Sequence, residues 1–190
     1  MGYVARHAYP VPRVEEISAD GSELVTERID GVTMLEALSR RPWTLRRHAA
    51  VLAALHDRLH EIPGPPWLDP FLAGGDCLVH LDLHPLNVIL SPKGPVLVDW
   101  TNAARGAGPA DVAVAWLVMM AGEIQGRGVQ AAIGPVLRRL FVRSFLGHFD
   151  LAPVRTVLPA IGVWKCQDRN MSAAEVASMR RLVARESGRP

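Results

Sequence analysis

Apolar residues recur at Leu45, Ala49, Leu52, Leu55 and Leu59, the spacing of a single helix face, and the pattern stops at Pro63-Gly64; this predicts a helix over 44–62. Just ahead of it, Thr33-Met34-Leu35-Glu36 has the form of a capping box, in which a hydroxyl and a carboxylate satisfy the free N–H groups of a helix start. Pro42 closes the short helix that it opens. Earlier still, strand-like runs over 13–17 and 23–29 flank the turn dipeptide Asp20-Gly21 and predict a two-stranded hairpin. Two strands alone are marginal in water, so this pair must lean on helices or on another chain. The second half of the chain reads as helical. A strongly apolar helix over 109–123 is followed by a break at 126–128, by helices over 129–148 and 152–165, and by a last helix over 173–186 that opens on a second capping box, Ser172-Ala173-Ala174-Glu175. Gly134-Pro135 and Pro159 predict kinks or breaks inside the two middle helices. The apolar run 112–122 is too short to span a bilayer and the N-terminal residues lack the apolar core of a signal peptide, so the chain reads as a soluble cytoplasmic protein.

Between the helical stretches the pattern changes to short apolar runs. Residues 77–81 and 87–90 read as strands, Ser91-Pro92-Lys93-Gly94 as a turn, and 95–98 as the returning strand. Antiparallel return sets Asn87 and Asp99 side by side at the open end of the hairpin. One amide and one carboxylate oxygen from neighbouring strand ends suit a hard cation such as Mg2+, which takes few protein ligands and keeps substrate phosphates in its shell. Asp82, in the loop before Asn87, can face the same space without being needed as a ligand, and a carboxylate there could accept the proton of an attacking hydroxyl. The alternation His80, Asp82, His84 leaves another chemistry open, a metal hydrolase whose imidazole and carboxylate ligands are completed by Asp99. Against it, His84-Pro85 suits a loop better than a strand.

The pattern H-x-D-x-x-x-x-N at residues 80–87, followed twelve residues later by Asp99, resembles the catalytic and metal-binding segments of the kinase fold, H-R-D-x-x-x-x-N and D-F-G in protein kinases. With His84-Pro85 after the Asp, and Asp99-Trp100 in place of Asp-Phe-Gly, it is similar to the aminoglycoside phosphotransferase and choline kinase group of small-molecule kinases. Residues 52–56 are similar to the group's LxxLH helix, and the strand pair leading to Asp30-Gly31 is similar to its adenine-side strands and hinge. The resemblance implies an α+β, protein-kinase-like fold: residues 1–31 as a two-stranded remnant of the small lobe with the hinge, and 32–190 as a mostly helical large lobe with the catalytic hairpin. It implies transfer of the γ-phosphate of ATP or GTP to a hydroxyl of a small molecule. Asp82 would be the catalytic base, and Asn87 and Asp99 would hold Mg2+, with His80, His84 and Asp111 supporting the catalytic loop. The backbone of Glu27, Arg28 and Ile29 would meet the adenine edge, and Ile89 and Val98 would floor its pocket.

Charge bears on the acceptor. The net charge of +2 hides 14 acids against 10 bases in residues 1–120 and 5 acids against 11 bases in 121–190. A basic C-terminal third suits a neutral or anionic hydroxyl compound better than a polycation. Solvated helix faces would give the same count, since 19 of the 21 bases are arginine. No nucleic-acid or membrane partner is expected. Cys77 and Cys166 form no CxxC pair, which leaves no sign of a disulfide scaffold or a zinc site. Both lysines, Lys93 and Lys165, follow the catalytic motif, so the phosphate-covering loop and strand lysine of these kinases have no counterpart by sequence order. Residues preceding Met1 would supply them, a second copy of the chain could complete the small lobe in a homodimer, or the protein is a non-catalytic, nucleotide-binding or regulatory relative.

Overall fold

The computed structural model describes residues 1–72, 74–122 and 129–188. The chain opens with a short helix, α1 (Gly2–Arg6), and a hairpin of β1 (Val14–Ile17) and β2 (Leu24–Thr26). A two-residue strand, β3 (Val32–Thr33), runs straight into α2 (Met34–Arg40), and a 3-10 turn at Pro42–Thr44 leads to α3 (Leu45–His60). Four short strands follow, β4 (Cys77–Val79), β5 (Val88–Ser91), β6 (Gly94–Leu97) and β7 (Ala104–Gly106). The remainder is helical: α4 (Gly108–Ala121), α5 (Val129–Leu146), α6 (Leu151–Lys165) and α7 (Ala173–Ser187).

The central hairpin is antiparallel, with Val88 opposite Leu97 and Ser91 opposite Gly94. Its turn is tied by the Ser91 hydroxyl, which donates to the Gly94 carbonyl and accepts from Lys93 N–H. β3 joins this hairpin as a third strand, Val32 opposite Leu90 and Thr33 opposite Ile89. Gly31 permits that approach, because a Cβ there would lie 2.5 Å from the Leu90 carbonyl oxygen. β4 pairs with β7 in a separate two-stranded sheet, and β1 with β2 in another. β4 ends at Val79 instead of reaching Leu81, whose φ of 59° turns the chain out of strand conformation. β2 likewise stops at Thr26, short of Ile29.

The helices follow their patterns. α3 buries Ala49, Leu52, Leu55 and Leu59 as its spacing requires, with His56 on the same face. In α4 every residue from Ala110 to Leu117 is buried, as expected of a helix apolar all round, and α3, α5, α6 and α7 pack against it. Ser172 and Glu175 form a complete capping box at α7. At α2 only half of one forms: the Thr33 hydroxyl accepts from Glu36 N–H, while the Glu36 carboxylate turns to Arg40. Of the kinks or breaks expected at Pro135 and Pro159, a break occurs at neither, and α5 and α6 run through both. A helix-interior proline costs about 3 kcal/mol. Burial of Phe141, Val142 and Phe145 on α5, and of Val154, Leu158 and Ile161 on α6, outweighs that at about 1.5–3 kcal/mol per large side chain. Glu123, the break expected at 126–128 and the last two residues lie outside the described residues.

The N-terminal segment is lashed across this body. Tyr3 Oη donates to the Pro63 carbonyl, Tyr9 Oη to the Leu55 carbonyl, and Leu97 N–H to the Pro10 carbonyl at 2.8 Å. No helix of the described residues is long and apolar enough to cross a membrane.

Candidate active site

The loop that carries Asp82 is built on one buried carboxylate. Asp111, in the first turn of α4, is fully buried, and three donors converge on it. Its Oδ1 accepts from Leu81 N–H at 2.7 Å; its Oδ2 accepts from His80 N–H and from His60 Nε2, both at 3.1 Å. Burial alone would raise its pKa, but the His60 hydrogen bond and the nearby His56, His60 and His80 rings outweigh that and hold it below the usual carboxylate range. This clasp fixes the left-handed Leu81, and the turn swings Asp82 into the cleft. The His80 ring donates from Nε2 to the Val98 carbonyl at 3.2 Å, linking the loop to the end of β6, and its burial keeps it neutral at pH 7 by lowering its pKa.

Asp82 is held by one side only. Asn87 Nδ2 donates to the Asp82 carbonyl at 2.9 Å and to its Oδ2 at 3.0 Å, and His84 Nε2 lies 3.5 Å from the same oxygen. His84 Nδ1 accepts from Leu86 N–H, which places the ring proton on Nε2, facing Asp82. Oδ1 has no such bond; the group beside it is Lys165 Nζ, 3.9 Å away. Burial would raise the Asp82 pKa, but the His84 hydrogen bond and the charges of His84, Lys165 and His80 prevail and lower it, so the group is an ionised base at neutral pH.

With Nδ2 of Asn87 committed to Asp82, its Oδ1 is the atom left to face a cation. Val98 N–H donates to the Asn87 carbonyl at 2.9 Å, which brings Asp99 beside Asn87. Asp99 sits at φ 60°, and its Oδ1 accepts from the Thr101 hydroxyl at 2.7 Å. Two oxygen donors on adjoining strand ends fit Mg2+, which seldom draws more from protein. Asp82, His84, Asp99, Lys165 and Asp168 line a common cavity of about 650 Å³ walled by Trp164 and Met171. Lys165 was invisible to sequence reasoning. The only available signal was a lysine ending a largely apolar helix in a chain with two lysines.

Residues 66–141, which contain Asp82, Asn87, Asp99 and Asp111, match the model of the phosphotransferase enzyme family. Over those residues, 76 of the 190, the chain is similar to that family. Two solved structures share the fold of this chain. One is a thermostable mutant of aminoglycoside phosphotransferase APH(4)-Ia in its apo form, 17% identical, with 98% of this chain and 83% of that chain covered and a TM-score of 0.67. The other is the amicoumacin kinase hAmiN in complex with AMP-PNP, Ca2+ and Ami, 15% identical, with 98% and 74% covered and a TM-score of 0.52. No curated protein matches the chain in sequence.

Glu27 closes the β1–β2 hairpin. Its N–H donates to the Arg13 carbonyl and its carboxylate accepts from Arg13 N–H, both at 2.9 Å. Arg28 and Ile29 lie beyond that pairing, and the segment then passes Gly31 onto Leu90 and Ile89. Val98 lies between the end of β6 and Asp99. The ligand set imagined for a hydrolase does not assemble: His80 is buried against the Val98 carbonyl, and the described residues contain no group of three His, Cys, Asp or Glu placed to hold a metal.

Proposed function

We propose that this protein is a phosphotransferase that moves the γ-phosphoryl group of ATP or GTP onto a hydroxyl of a small molecule that carries at most one positive charge. The observation that carries the reading is the posture of Asp82: Oδ2 is tied by Asn87 and His84, and Oδ1 is open to the cavity. An acceptor hydroxyl gives its proton to Oδ1 as its oxygen bonds to the γ-phosphorus. The bond from that phosphorus to the β–γ bridging oxygen breaks, and its electron pair leaves on ADP. Asn87 Oδ1 and Asp99 would hold Mg2+, which when bound neutralises phosphate charge. The backbone of Arg28 and Ile29 would meet the base, with Ile89 and Val98 beneath it.

The acceptor's charge is argued from the cavity wall. Lys165 is paired with Asp168 at 2.9 Å, and the Glu175 carboxylate accepts from Ser172 N–H at the start of α7. Once Asp82 and Asp99 serve the phosphates, Glu175 is the one carboxylate of the described cavity wall left without a cation beside it, too few for a polycation.

Calorimetric titration with ATP, with and without Mg2+, tests the reading alongside Asp99→Ala. Mg2+ should tighten ATP binding to the wild-type chain by at least about tenfold, and the variant should lose that gain. Binding that ignores both the metal and the substitution would overturn the reading.

A further inference from the structure

Lys165 ends α6 and is only 5% exposed. Its Nζ is fixed at 2.9 Å by Asp168, whose other oxygen accepts from Asn170 N–H at 2.9 Å, and it lies 5.6 Å above the centre of the Trp164 ring. A buried ammonium needs a paired acceptor, and Asp168 supplies one. The separation from Asp82 Oδ1, 3.9 Å, is too long for a hydrogen bond. Of three ammonium N–H groups, one is therefore engaged, and the others have the cavity before them.

We propose that Lys165 is a catalytic residue of the phosphoryl transfer, its ammonium contacting the phosphoryl group in flight. The inference rests on the phosphotransfer reading above and adds a residue to it. An acceptor oxygen bonded to Asp82 Oδ1 sits about 2.7 Å from it, and the phosphorus it attacks lies about 3–3.5 Å further on. A cation 3.9 Å from Oδ1 is within reach of the equatorial phosphoryl oxygens, where the transition state spreads its charge. The same wall presents Asp82, Asp99 and Asp168, which repel those oxygens, and Lys165 is the one lysine or arginine among the described residues that line the cavity. Bond making and breaking are as above: the acceptor proton ends on Asp82, the leaving electron pair on ADP, and Lys165 keeps its proton throughout. Helix packing thus delivers a phosphate-binding cation that sequence order denied to the strand position.

The test compares wild type, Lys165→Met, Lys165→Arg and, as a control, Lys93→Met in the exposed turn between β5 and β6. Dissociation constants for ATP and ADP are measured with Mg2+ present, together with phosphate release from ATP. Lys165→Met should leave ADP affinity within about 2-fold, abolish the preference for ATP over ADP, and slow phosphate release by about 10²–10³-fold. Lys165→Arg should restore part of both, and Lys93→Met should change neither. An unchanged ATP preference in Lys165→Met would overturn the proposal. So would an equal weakening of both nucleotides, which would mark Lys165 as a mere anchor for the turn that carries Asp168. A wild-type chain that binds neither nucleotide would instead sink the phosphotransfer reading, and this inference with it.

Discussion

Three donors meeting two oxygens make Asp111 intolerant of asparagine. The amide would turn an NH2 toward His80 N–H and His60 or toward Leu81 N–H, setting donor against donor in a site without solvent. Asp111→Asn should cost about 3–5 kcal/mol, read as a lower urea midpoint at unchanged slope. At this scale the sequence was informative where the chemistry was local. Asp82, Asn87 and Asp99 fall within one hairpin, so spacing alone brought them together. The bond between Asp111 and His60 joins α4 to α3 across 51 residues and leaves no signal in the spacing of either helix. Lys165 reaches Asp82 only because α6 packs on α4, and a contact of that kind leaves no trace in periodicity.

Between elements, α3 closely approaches the start of α4. A Cβ on Gly108 would lie 2.6 Å from His60 Nδ1, and the ring cannot step aside without leaving Asp111. Gly108→Ala should therefore cost about 1–3 kcal/mol in thermal or chemical denaturation. A Cβ on Gly2 meets nothing within 4 Å, so Gly2→Ala should show no such loss. Longer elements were legible because their burial patterns repeat. α1, β3 and β7, of two to five residues, carry too few positions to set a period, and β7 exists because β4 offers it an edge. The prolines of α5 and α6 fail to break their helices for the converse reason, since a local penalty is outweighed by burial along the whole helix.

Over the whole molecule, pH acts through the histidine–carboxylate group under the loop that carries Asp82. His56 is fully buried, and its pKa drops from 6.5 to about 4, chiefly through burial, with Asp111 opposing. Between those values the unfolded chain takes up a proton that the folded chain refuses, so stability falls as pH is lowered through this window, by roughly 3 kcal/mol. Below about 4 both states carry the proton and this contribution stops changing. Asp111 then takes over: its depressed pKa stabilises the fold above the ordinary carboxylate range, and that contribution is lost as pH falls further. A melting-temperature series should show the upper part of this decline flattened in His56→Leu, while the lower part persists.

β6 is the outer strand of its sheet, and its Leu97 N–H is already taken by Pro10. Pro95, also on β6, has no N–H to offer. An open row of backbone donors is an invitation to the strands of other molecules. The N-terminal strap thus guards the strand leading to Asp99 against aggregation, and a chain shorn of its first ten residues should cloud on warming well before its secondary structure is lost.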